Sequence, residues 1–240
     1  DRLPGGRGEE QKKDKNMVKV TLKGSTQSLP LPRVASGELS EVQEQLAELF
    51  KLGDIGVHYA LRCSKTGQFV DDLEGIEQSD SLEFVDCSKE IKQTLKKFRA
   101  SLDGLAAAGI SEGQREKSIL GVQSQIHDIM VNLKNGTYAE EFISDRGIDE
   151  LLRVVTLTEG KLQLLALDSL SELMSYMNGI EYIKAKPEVI AILYKLLHDS
   201  VLEVRRNSLV LLIMIAHTLP DGFAQIKSTD KKLSQEMGKQ

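Results

Sequence analysis

The sequence predicts an α+β fold in two parts, a small sheet crossed by one helix and then an all-α helical solenoid. Three observations predict it. Apolar and polar residues alternate from Met17 to Leu22, the period of a half-buried strand. After Asp86 the period becomes that of a helix and stays so. Within the helical part, similar segments recur at a shift of 42 residues. The bulk composition agrees. A chain of 240 residues, 40% hydrophobic and 28% charged, has the make-up of a globular protein of one or two domains.

Residues 1–16 carry Gly5, Gly6 and Gly8 and almost nothing apolar, which predicts a flexible leader. Val18, Val20 and Leu22 then alternate with Lys19, Thr21 and Lys23. Gly24-Ser25-Thr26 is the expected turn, and residues 28–34 the second strand. Residues 38–52 take the helical period, with Leu39, Val42, Leu46, Leu49 and Phe50 on one face, Ser36 as N-cap and Gly53 as the stop. Period two returns over 55–63, 68–70 and 81–85, where either Leu82 and Phe84 or Phe84 and Val85 point inward. Two strands, a helix and three short strands is the element order of a ubiquitin-like β-grasp. The irregular apolar segment of Leu73 and Ile76 before the last strand fits that order, so residues 17–87 are assigned to the first domain.

Ile91, Leu95, Phe98, Leu102 and Leu105 form one stripe on a helix of 88–107, within a linker-helix segment of 88–110. Its other face carries Lys89, Lys92, Lys96, Lys97 and Arg99, a surface that is either simply solvated or meets an acidic partner or membrane headgroups. Residues 111–240 are expected to be armadillo repeats, incomplete at the C-terminus. A helix of 111–133 closes one unit. Asn135-Gly136 and Asn178-Gly179 are turn pairs, each followed by two short helices and a longer one. The shift of 42 lays Leu162 on Val204, Leu167 on Leu209, Leu170 on Leu212 and Leu173 on Ile215. Three helices per unit at this period is the signature of armadillo or HEAT repeats, and Pro220-Asp221-Gly222-Phe223 begins another.

Motifs that carry chemistry are scarce. A net charge of −5 and a pI near 5.5 give nucleic acid nothing to be drawn to, so no nucleic-acid partner is expected. No apolar run reaches the roughly 18 residues of a membrane span, and residues 1–15 are neither a signal nor a transit peptide. Cys63 and Cys87 are too few for a disulfide scaffold and suit small buried hydrophobes, so a cytoplasmic protein is expected, recruited to the plasma membrane by partners. His58, His127, His198 and His217 fall in separate elements with no second ligand at metal spacing. No catalytic residue, cofactor or metal site is assigned, and no enzyme activity is expected. Asn135-Gly136-Thr137 matches a glycosylation acceptor, but without a secretory signal it reads as a turn.

A binding protein remains. The candidate partner surface is Lys19, Thr21 and Lys23 on the outward side of the first strand, with Arg33 on the next element. This small basic patch suits the acidic switch region of a Ras-like GTPase. Pro30 and Pro32 bear on the second strand. Facing outward, they remove amide donors that a partner strand would use; placed before the strand, they do not.

The stretch Thr137-Tyr-Ala-Glu-Glu-Phe-Ile-Ser-Asp-Arg-Gly-Ile-Asp-Glu-Leu-Leu-Arg-Val-Val155 resembles the armadillo segment of the engulfment and cell motility (ELMO) family. Residues 17–22 resemble that family's opening strand, Tyr59-Ala-Leu61 and Leu82 to Val85 its later ones, and Leu170-Ser-Glu-Leu-Met174 its next repeat. The resemblance implies a non-enzymatic adaptor whose ubiquitin-like Ras-binding domain holds a Rho- or Arf-family small GTPase in the GTP state. It also implies a DOCK-type exchange factor for Rac, bound through regions absent here, in the control of actin, migration and engulfment. It implies no integral membrane contact. FHOD-type formins share the layout, and Met177-Asn-Gly-Ile180 is similar to theirs. On that resemblance the chain is a GTPase-binding autoinhibitory region. A general armadillo scaffold is the third reading.

Overall fold

The computed structural model describes residues 17–30, 38–73, 76, 81–109 and 111–237. The expected leader, Pro32, Arg33 and Ser36 lie outside them. The chain is mostly helical: the described residues form ten α-helices and one four-stranded sheet. It divides into two compact units between Glu90 and Ile91.

The first unit contains β1 (Met17–Leu22), β2 (Ser25–Pro30), α1 (Leu39–Leu49), a 3-10 helix (Gly53–His58), β3 (Tyr59–Cys63) and β4 (Ser81–Asp86). The strand order is β2-β1-β4-β3, with β1 and β4 parallel and the other neighbours antiparallel. One sheet face is apolar because alternate residues point to it. Val18, Val20, Leu61, Leu82 and Phe84 join Val42 and Leu46 of α1 in a closed core. Phe84 centres it, with the Tyr59 ring at 5.3 Å and the Phe50 ring at 6.2 Å. Val85 is only half-buried, so Leu82 and Phe84 are the inward pair.

Three local expectations are corrected. The first hairpin turns at Lys23-Gly24, where φ is 47° and 84°. Positive φ at both central residues is what a two-residue I′ turn requires. β2 therefore runs from Ser25, earlier than expected, and its Ser-Thr-Gln-Ser start has no apolar alternation to reveal it. Residues 53–58 form a 3-10 helix, so the strand expected from Ile55 begins at Tyr59. Leu49, expected on the apolar helix face, is 46% exposed.

The turn also fixes which way β2 points its backbone. Leu22 pairs with Ser25 next to the turn, so Ser25, Gln27 and Leu29 bond to β1, while Thr26, Ser28 and Pro30 face the outer edge. Pro30 thus removes one donor from that edge.

The division falls within α2 (Cys87–Ala106). The second unit continues with α3 (Glu112–Asn132), α4 (Gly136–Ser144), α5 (Gly147–Leu157), α6 (Lys161–Leu173), α7 (Met177–Lys184), α8 (Pro187–Leu196), α9 (Leu202–Thr218) and α10 (Gly222–Met237). Ser111 and Gln114 form a capping box that starts α3. The long helices α3, α6 and α9 lie side by side in that order, with α4 against α7, α5 against α6 and α8 against α9. Burial repeats at the shift of 42: Leu162, Ala166, Leu170 and Leu173 of α6 correspond to Val204, Ser208, Leu212 and Ile215 of α9, all buried.

The corners between units are made of backbone. Gly136, Gly179 and Gly222 recur every 43 residues, each in the first turn of a short helix or of α10. A Cβ on Gly179 would lie 2.0 Å from the carbonyl oxygen of Leu173, and one on Gly222 would lie 2.1 Å from that of Ile215. Gly136 meets only the Tyr176 ring, at 3.9 Å. Asn135, 1% exposed, accepts a hydrogen bond from the Tyr138 amide at 3.0 Å and so caps α4. A side chain buried in this way is closed to a glycan.

Polar clips join the helices. Glu150 is buried and accepts from Arg99 of α2 at 2.8 Å and from Arg153 at 2.9 Å, while Arg153 reaches Asp103 of α2 at 2.7 Å. Gly104 and Gly121 face Ser118 and Ser101 across α2 and α3, where their missing side chains permit a close approach. Between α5 and α7, the Tyr182 hydroxyl donates to Asp149 at 2.7 Å, and Lys186 pairs with the same carboxylate while lying 4.7 Å above the Tyr182 ring. Burial alone would raise the pKa of Asp149; the bonds from Lys186 and Tyr182 outweigh it and hold the carboxyl below its ordinary value.

Two outcomes follow for stability. Gly179→Ala and Gly222→Ala are expected to cost about 2 kcal/mol or more, because backbone must move. Gly136→Ala at the equivalent corner should be neutral or stabilise by up to about 1 kcal/mol through helix propensity. Urea midpoints of the three variants measure this contrast. For Asp149, a folded pKa below the unfolded one gives stability that is present above the ordinary carboxylate value of 3.8 and lost as pH falls through the lowered one. Asp149→Asn should therefore cost about 0.5–1.5 kcal/mol at neutral pH and converge with the wild type in acid, as read from unfolding curves at both pH values.

Candidate functional surfaces

The first surface lies on the sheet face opposite the core. Lys19 is exposed on β1, and its cross-strand neighbours are Ser28 and Ser81, both neutral. Among the described residues its charge therefore has no carboxylate directly across the strands. Thr21 is half-buried, and its hydroxyl donates to the Leu82 carbonyl at 3.1 Å, stitching β1 to β4. Lys23 is a turn residue, so it does not continue the strand row.

Lys23 and Thr21 line an open cavity of about 430 Å³ with Gly24, Tyr59, Glu83 and Asp86. Two carboxylates in its wall change the character of the patch. Burial alone would raise the Asp86 pKa; the side chain and backbone amide of Lys89, at 2.9 and 3.2 Å, and the charge of Lys23 together hold it below its ordinary value. Lys23 thus shares its field with an anion. On the same face Arg62 of β3 bonds Glu83 at 2.7 Å and approaches Glu90 at 3.3 Å. Of the predicted residues, Lys19 is the exposed strand cation that forms no ion pair among the described residues, and Arg33 lies outside them. Arg62 and Glu83 were missed. Their parity, opposite to Leu61 and Phe84, was visible, but their pairing depends on a register that sequence does not print.

The second surface is on α9. Leu202, Leu209 and Ile213 fall at helical spacing on one face beside Val210, all between 43% and 63% exposed. On α6 the corresponding face is covered by α9: Asp168 accepts from Asn207 at 2.7 Å, and Ser171 approaches the Met214 sulfur at 3.7 Å. Leu167, the counterpart of Leu209, is accordingly fully buried. Burial pushes the Asp168 carboxyl up, and Arg206 and Asn207 offset that only in part. The α9 row therefore has the chemistry of a helix-stacking face.

Among the described residues no group of three or more His, Cys, Asp or Glu side chains is placed to hold a metal ion. None of their helices is long and apolar enough to cross a membrane.

A family model described as the FHOD1/3 FH3 domain matches residues 160–240, the stretch from α6 through α10. Formin-C of Dictyostelium discoideum is 33% identical over 117 residues, covering 48% of this chain and 10% of that protein. Formin-G of the same organism is 29% identical over 128 residues, covering 51% of this chain and 12% of that protein. The chain spans about a tenth of the length of these curated relatives. These matches correct the family resemblance: they point to formins and not to the ELMO family. The DOCK-type exchange factor, Rac exchange and engulfment fall with it. The misleading stretch of 137–155 has a physical explanation. Tyr138, Phe142, Ile143, Gly147, Ile148, Leu151 and Leu152 are all buried, so the motif records packing that a three-helix repeat of this kind needs rather than a partner.

Proposed function

We propose that this chain is the N-terminal regulatory region of a formin-type protein. On this reading residues 17–87 are a ubiquitin-like β-grasp module that binds a small GTPase of the Rho or Arf family in its GTP state. The helices from α3 onward are an armadillo-type domain through which GTPase binding relieves inhibition of an actin-assembling activity elsewhere in the protein. The observation that carries the reading is the FH3 match over α6–α10 on a chain that also holds a mixed β2-β1-β4-β3 sheet packed on one helix.

The geometry suggests how such a partner is met. Lys19 offers a cation with neutral neighbours, and the outer edge of β2 presents backbone groups at Thr26 and Ser28. Pro30 ends that edge, so side-chain contacts carry more of the recognition. Switch loops are ordered by the γ-phosphate, so a surface built to meet them gains affinity in that state.

The test is a titration of the 240-residue chain against a panel of Ras-superfamily GTPases loaded with GTP analogue or GDP. Selective binding of the GTP form by at least one member is expected. Lys19→Glu should weaken it roughly three- to tenfold, mostly in the association rate, and flatten its salt dependence. Lys23→Glu should do less, because Asp86 already offsets that charge. If no GTPase distinguishes the two nucleotide states, the reading fails.

A further inference from the structure

The exposed face of α2 is a second charged surface, and neither the GTPase reading nor the FH3 match over residues 160–240 uses it. Between Glu90 and Asp103 the helix has no acidic residue, while Lys92, Lys96 and Lys97 are all exposed together with Gln93 and Ala100. The opposite face, Ile91, Leu95, Phe98 and Leu102, is fully buried, which holds the lysines outward. The carboxylates that bound this face along the helix are engaged by arginine, Glu90 by Arg62. Asp103 at the end of the face is bonded to Arg153, and Glu150 is held by Arg99 and Arg153. None of the three lysines forms an ion pair among the described residues.

We infer that this lysine face of α2 is a docking surface for an anionic lipid membrane. Its chemistry favours lipid over a folded protein. Protein interfaces are depleted in lysine and anchored by aromatic or arginine side chains; here Gln93 and Ala100 are the exposed residues beside the lysines, and the helix's one arginine, Arg99, is bonded to Glu150. Lysine is a flexible point charge suited to headgroups that move, whereas a fixed carboxylate or phosphate rewards the planar fork of arginine. The attraction acts within a Debye length, about 8–10 Å, so the acidic remainder of the chain does not cancel it. With no large apolar side chain exposed among them, the lysines give an association that is weak and strongly salt-dependent.

The test is co-sedimentation of the 240-residue chain with phosphatidylcholine vesicles, with and without a third of phosphatidylserine, at low and high salt. Binding is expected only to the phosphatidylserine vesicles and only at low salt. The variant Lys92→Gln/Lys96→Gln/Lys97→Gln should lower the partition coefficient by roughly a hundredfold. A control, Lys184→Gln/Lys195→Gln/Lys227→Gln, removes the same charge from exposed positions on α7, α8 and α10 and should bind as the wild type does. Unchanged thermal melting of both variants establishes that folding is intact. Equal loss in the two variants would assign the effect to net charge and overturn the inference. So would absence of binding to phosphatidylserine vesicles while poly-glutamate or duplex DNA is retained through the same three lysines, which would make the partner a soluble polyanion. None of these arms contains a GTPase, so the result is independent of the nucleotide titration.

Discussion

The close approach of helix backbone at the repeat corners is the constraint on which the helical stack depends. Gly179 lies against the carbonyl of Leu173 and Gly222 against that of Ile215, with no space for even a methyl group. Where α7 and α10 start is therefore decided by main chain meeting main chain. The stacking of α3, α6 and α9 and the repeating burial of their apolar faces follow from that placement. Because contact between backbones needs no particular side chain beyond the missing one, the residues around a corner are free to differ.

The two surfaces on the molecule obey different physics. The sheet face is a mixed field, in which Arg62, Lys23 and Lys89 are balanced by Glu83, Glu90 and Asp86, and a partner there gains more from geometry than from charge. The α2 face is unbalanced, and charge is nearly all it offers. A protein that used both would separate selectivity, from the sheet, from local concentration, supplied by a membrane.

The long helices were legible in the sequence to within a few residues, because their apolar stripes repeat over three or more turns. The 42-residue shift matched buried to buried on α6 and α9, and it failed only at Leu209, which lacks the covering helix that Leu167 has. The sheet was harder. Polar β2 leaves no period, and Lys23 is not a residue that announces a left-handed turn. Of the candidate site, the parity of Lys19 was readable, but the carboxylates that compensate its neighbours come from β4 and α2 and become adjacent only through register. The family resemblance misleads for a related cause: the apolar residues that define the 137–155 stretch are buried and report packing.

The Glu150 clip has a consequence for the living chain as it emerges from the ribosome. Arg99 and its carboxylate are 51 residues apart in sequence, and Asp103 lies 50 residues from Arg153. At a synthesis rate of about 5–20 residues per second, α2 waits several seconds before these partners exist. During that interval its polar anchor is missing. The arrival of α5 supplies it.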